Sequence, residues 1–114
     1  MKNTKNEVKY YSLRDIKETI GISRRVVQGY EELDLVVPTC KNHMGHLLYD
    51  QEMYDRIKLI HEYQWLGFTL KEVKVFIDAD ESLKKKYYEE RRKMLQDEKK
   101  QLILKAARIM ELLS

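Results

Sequence analysis

The sequence predicts a mainly α-helical fold in which several short amphipathic helices are followed by one long terminal helix. Three observations carry that prediction. Apolar residues recur at three- and four-residue spacing behind good N-cap residues. A single proline and four glycines punctuate 114 residues, 36% of them charged, which suits a well-solvated helical chain rather than a disordered one. The stretch from Ser82 to Ser114 holds neither Gly nor Pro.

The first helix begins after Ser12, which stands ahead of "LRDIKETI" with Asp15 three residues on, a capping pattern. Leu13, Ile16 and Ile20 then share one helical face. Gly21 supplies a turn and Ser23 is the next N-cap. In the second helix Val26, Val27, Tyr30 and Leu33 form the expected buried face, while Arg24, Arg25 and Gln28 face outward. Two short helices joined by a glycine-containing turn of about three residues make a helix-turn-helix pattern. Such pairs also occur in folds that never touch DNA.

After Leu35, the stretch "VVPTCKNHMGHLLYD" cannot be helical throughout. Val36-Val37-Pro38 favours extended backbone, Asn42 to Gly45 is turn chemistry, and "HLLY" returns as a strand. The expectation is a small hairpin, a wing, that offers Lys41, Asn42, His43 and His46 to phosphates or to a minor groove. A solvated hairpin that only covers the helices is the alternative.

Asp50 caps a third helix in which Met53, Ile57 and Ile60 recur at i, i+4 and i+7, with Leu59, Tyr63 and Leu66 broadening the stripe. The chain breaks at Gly67. Thr69 and Glu72 form a second capping box ahead of Leu70, Val73, Phe76 and Ile77, which predicts a fourth helix packed on the third.

About 33 residues at 1.5 Å each make the last element a rod of roughly 50 Å. Leu95, Leu102 and Ile109 recur every seven residues, Ala106 and Leu113 fill the alternating seam, and Arg92 and Lys99 occupy its earlier positions. Like charges in a seam oppose a parallel zipper of identical positions and permit an antiparallel pair, so a homodimer is expected. The alternative is a lone helix folding back on its own domain, since Ile103, Met110 and Leu112 widen the apolar face. The predicted domains are residues 1–80, a DNA-binding winged helix-turn-helix, and 81–114, a dimerisation helix.

Composition excludes several classes. No stretch approaches the roughly 18 apolar residues of a membrane span, which places the chain in the cytoplasm. Cys40 is the single cysteine, so no internal disulfide is available; it is either incidental or a sensing thiol. The net charge of +3 is small, and most of the excess falls in residues 81–114, with 10 basic and 6 acidic groups. His43, His46 and His61 share no ligand spacing, so no metal site is expected. No Gly-rich phosphate loop, HExxH or GxSxG appears, and Glu31-Glu32 and Glu89-Glu90 fall on solvated helix faces, so neither catalysis nor a cofactor is expected.

The order of elements resembles the MerR family of bacterial transcription regulators. The blocks "YSLRDIKETIGIS", "YEELDLVVP", "GHLLYDQEMYDRIKLI" and "WLGFTLKEVKVFI" carry the resemblance, in order, over essentially the whole chain. It implies a winged-helix dimer joined by an antiparallel coiled coil. The two recognition helices would enter successive major grooves of a pseudo-palindromic promoter, which is bent and untwisted so that RNA polymerase is affected indirectly. By position, Ser23, Arg24 and Arg25 stand where family members contact bases and phosphates, and Ser12 and Arg14 are further candidate DNA contacts. Tyr30 matches the last aromatic of the family's Arg-Tyr-Tyr-Glu block; it reaches a phosphate or sits in the core beside Leu33.

The departures are specific. Gln28 and Gly29 replace that block's arginine and first tyrosine, and His46-Leu47 replaces the wing's usual tyrosine and arginine. Losing two phosphate contacts flattens the salt dependence of binding by nearly two units of log slope, at about 0.9 per phosphate. Gln28 can instead read adenine N6 and N7. Gly29 costs on the order of 1 kcal/mol in a helix relative to Ala, so either close approach to DNA favours it or a bulky residue there would collide with the wing. The resemblance also places an effector site beyond the long helix, and the sequence shows none. Two competing readings are an architectural DNA-bending protein, such as a recombination directionality factor, and a protein-interaction module that uses the long helix.

Overall fold

The computed structural model describes residues 8–114. Among the described residues eight elements follow one another: β1 (Tyr11–Ser12), α1 (Leu13–Ile20), α2 (Arg24–Glu32), β2 (Cys40–Lys41), β3 (Leu47–Tyr49), α3 (Gln51–Trp65), α4 (Leu70–Phe76) and α5 (Glu81–Leu113). The chain divides into two compact units, one reaching to Lys74 and the other running Val75–Ser114. The division falls within α4, ahead of the 80/81 boundary expected from the sequence.

In the first unit each helix starts where local chemistry makes it start. Ser12 Oγ accepts from the Asp15 N–H at 3.0 Å while Asp15 accepts from the Ser12 N–H at 2.9 Å, a reciprocal box that satisfies two otherwise orphaned donors. Gly21, with φ of 80°, ends α1 in the left-handed conformation that only glycine adopts without strain, and its N–H reaches the Lys17 carbonyl. Ser23 caps α2 through the Val26 N–H, and Asp50 caps α3 through the Met53 N–H. The predicted Thr69–Glu72 box opens α4.

The three strands form one antiparallel sheet in the order β1-β3-β2. Cys40 faces Leu48, and Tyr11 faces Tyr49 across the other edge of β3. The expected wing hairpin is therefore present, with its strands at Cys40–Lys41 and Leu47–Tyr49 on either side of the turn. Val36 is buried, at 2% exposure. The sequence reading missed β1, whose two residues are a strand only because β3 pairs with them.

Ile16, Ile22, Val27, Tyr30, Tyr49, Ile57 and Ile60 are buried and form the heart of this unit. Each of the aliphatic side chains among them contributes about 1.5–3 kcal/mol relative to remaining exposed. Two expected core residues are corrected: Val26 and Leu33 are each 37% exposed. They flank a buried stripe that in α2 is only as wide as Val27 and Tyr30.

In the second unit Asp80 caps α5 through the Leu83 N–H, so the helix starts one residue ahead of Ser82. Phe76 packs against Tyr87 and Tyr88, with ring centroids 5.1 Å and 5.9 Å away. The tyrosines thus serve packing. From Arg92 to Ser114 every residue is exposed, including Leu95, Leu102, Ala106, Ile109 and Leu113.

Candidate nucleic-acid interface

The N-terminal turns of α1 and α2 and the tip of the wing meet at one groove. It is lined by Ser12, Leu13 and Arg14 from the start of α1, Arg24 and Gln28 from α2, and Gly45, His46 and Leu47 from the wing. Helix N-termini present free N–H groups and the positive end of the helix dipole, which favours an anion. Arg14 and Arg24 add guanidinium charge, and Arg14 is paired with Glu18 at 3.2 Å across a highly exposed surface. Such a pair is weak and yields readily to a phosphate.

Along α2, Arg24, Arg25 and Gln28 are exposed. Arg24, Gln28 and Glu31 recur at i, i+4 and i+7 and share one stripe, which turns toward the wing. Ser12 and Ser23 use their oxygens as helix caps and retain a hydroxyl proton to donate.

The wing tip is built by Asn42. Its Oδ1 accepts from the Met44 and His46 N–H groups at 2.9 Å and 3.0 Å, while Gly45 supplies the positive φ of the turn. Asn42 is thus a turn-former whose amide NH2 alone is available to a ligand. Lys41, His43 and His46 are exposed on the same hairpin, and so is Cys40.

Tyr30 is corrected. It is 1% exposed and its hydroxyl donates to Gln64 Oε1 at 2.6 Å, so of its two readings the structure shows the core tyrosine. Burial pushes its hydroxyl up to about 12. A Cβ built at Gly29 meets nothing within 4 Å, so the position has room for an alanine.

Sequence reasoning missed Tyr49 and Glu31. Tyr49 is wholly buried at the base of the wing, and its hydroxyl donates to Glu31 Oε2 on α2. Burial first, then the hydrogen bond and charge of Glu31, hold the Tyr49 hydroxyl far above its ordinary range, with Arg24 acting the other way. The signal available was alternation: two places before it, Leu47 lies on the same face of β3.

The family profile described as "MerR HTH family regulatory protein" matches residues 11–80, and one described as "MerR, DNA binding" matches residues 54–114. The chain belongs to the MerR family. Among MerR-family relatives, it is 34% identical over 68 residues to the HTH-type transcriptional activator TipA of Streptomyces coelicolor, covering 60% of this chain and 27% of TipA. It is 28% identical over 75 residues to the mercuric resistance operon regulatory protein of Bacillus cereus, covering 63% of this chain and 57% of that protein. The chain thus spans only part of the length of these regulators.

In three dimensions this MerR-family chain is similar to a MerR family transcriptional regulator from Bacillus cereus, with a TM-score of 0.76 at 19% identity over 90% of this chain and 79% of the other. It is also similar to HiNmlR, a MerR family regulator lacking the sensor domain and bound to promoter DNA, with a TM-score of 0.56 at 21% identity over 92% of this chain and 79% of that one. At these identities the likeness concerns the fold. No helix among the described residues is long and apolar enough to cross a membrane.

Proposed function

We propose that this MerR-family protein is a sequence-specific DNA-binding transcription regulator that acts as a homodimer on a pseudo-palindromic promoter in the bacterial cytoplasm. The observation that carries the reading is the groove itself, where two helix N-termini, Arg14, Arg24, Gln28 and His46 converge. A phosphate in that groove meets free N–H groups and two guanidinium groups, while α2 presents Arg25 and Gln28 outward for base edges. Arg25 is suited to guanine O6 and N7 and Gln28 to adenine N6 and N7. Lys41 and His43 on the wing are suited to the adjoining backbone.

The dimer follows from α5. Its seam of Leu95, Leu102, Ala106, Ile109 and Leu113 is exposed, and Arg92 and Lys99 in the same seam oppose a parallel pairing of identical positions. An antiparallel pair sets two copies of α2 against half-sites one or more helical turns apart, about 34–36 Å per turn. Bending and untwisting of the promoter then reaches RNA polymerase through the DNA.

Selection of bound duplexes from a random pool at two salt concentrations tests this reading. Enrichment of an inverted repeat is the expected result. Salt-sensitive binding with no enriched sequence would mean that Gln28, Gly29, His46 and Leu47 mark a surface that no longer reads bases.

A further inference from the structure

The wing is attached to the rest of its unit along two sides. On one side β3 pairs with β1, and Ser12 belongs to both β1 and the cap of α1, so the wing sheet is continuous with the first helix. On the other side its attachment to α2 runs through Tyr49, whose hydroxyl donates to Glu31 Oε2. Glu31 lies two helical turns beyond Arg24 and three residues beyond Gln28, on the stripe that lines the groove beneath His46 and Leu47. The groove's floor and its far wall are therefore tied together below it by this hydrogen bond.

We infer that the Tyr49–Glu31 hydrogen bond is a latch that sets the angle between the wing and α2, making both residues positioning residues for DNA binding. The inference rests on the proposed DNA-binding function. Tyr49 is fully buried and Glu31 half-buried, so neither side chain touches the duplex. Their effect is geometric. With the latch closed, Lys41 on the wing and Arg24 on α2 reach the backbone of one duplex together. With the hydroxyl gone, this directional tie between β3 and α2 is lost, and the wing cation disengages while α2 remains in its groove. A hydrogen bond weakens steeply as it bends away from linear, which suits a joint that must hold an angle.

The test uses the full chain and the duplex recovered from the random pool. Tyr49→Phe removes only the hydroxyl. It is expected to stay folded, to bind roughly fivefold more weakly at 0.15 M salt, and to show a log–log salt slope shallower by about 0.9, the share of one neutralised phosphate. In that background Lys41→Ala should cost nothing further, whereas in the native protein it should reproduce both losses. Glu31→Gln keeps an acceptor oxygen and is expected to retain native affinity and slope. A native slope for Tyr49→Phe, or an equal cost of Lys41→Ala in both backgrounds, would overturn the latch. Should Tyr49→Phe fail to fold, Glu31→Gln against Glu31→Leu makes the same comparison. Failure of the native protein to bind any duplex would instead remove the DNA-binding reading, and the latch with it.

Discussion

Tyr30 ties the recognition helix to the core: from α2 its hydroxyl donates to Gln64 Oε1 near the end of α3, 2.6 Å away, from a position that is 1% exposed. The residue that sequence position offers to a phosphate is therefore an anchor. Its hydroxyl keeps its proton up to about 12, whereas an unfolded tyrosine ionises near 10. The folded state is thus the tighter proton binder, and stability is complete below pH 10 and falls as pH rises from 10 toward 12. Tyr49 acts in the same direction. Thermal unfolding followed by circular dichroism should show a flat midpoint to about pH 9.5 and a decline above it, in line with the ordinary tyrosine value. Tyr30→Phe should soften the decline; an unaltered profile would assign it to other groups.

Gly29 lies in α2 with open space around its Cβ position. Gly29→Ala is therefore expected to stabilise the protein by up to about 1 kcal/mol, the helix-propensity difference. If close approach of the DNA backbone is what favours glycine, the same change weakens duplex binding. A higher melting temperature with unchanged affinity would place Gly29 outside the DNA contact.

Arg25 projects from the second turn-position of α2 and is exposed. Arg25→Ala should cost about 1–3 kcal/mol on the selected site and relax preference at one base position. Binding titrations on the site and on its single-base variants measure both. Uniform weakening across sequences, with no relaxed position, would make Arg25 a phosphate contact.

Leu102 is 66% exposed in the apolar half of the α5 seam. Leu102→Lys puts a charge where two helices are proposed to meet and should convert the dimer to monomer. Sedimentation equilibrium decides it. A dimer that persists at micromolar concentration would show that another surface holds the copies together.

How much of this was legible beforehand depended on the range of the interaction involved. The caps at Ser12, Ser23, Asp50 and Thr69 were read correctly because a cap is a bond between residues three apart, wholly written in local sequence. The hairpin of the wing is legible from its turn residues, whereas only packing shows that Val36, in the extended stretch ahead of it, is core. Strand β1 was invisible for a related reason: its partner is nearly forty residues away.

The sequence by itself determined the helices, their caps, the outward cations of α2, the heptad seam of α5 and the family, because periodicity, capping and ordered blocks are one-dimensional properties. Only the tertiary structure decided that Tyr30 faces Gln64 rather than solvent, that the Cβ position of Gly29 is open, and that Tyr49 joins the wing to Glu31. Those outcomes depend on which distant side chains share a volume once the chain is packed. A side chain with an apolar body and a polar tip, such as tyrosine, suits either environment until its neighbours are in place.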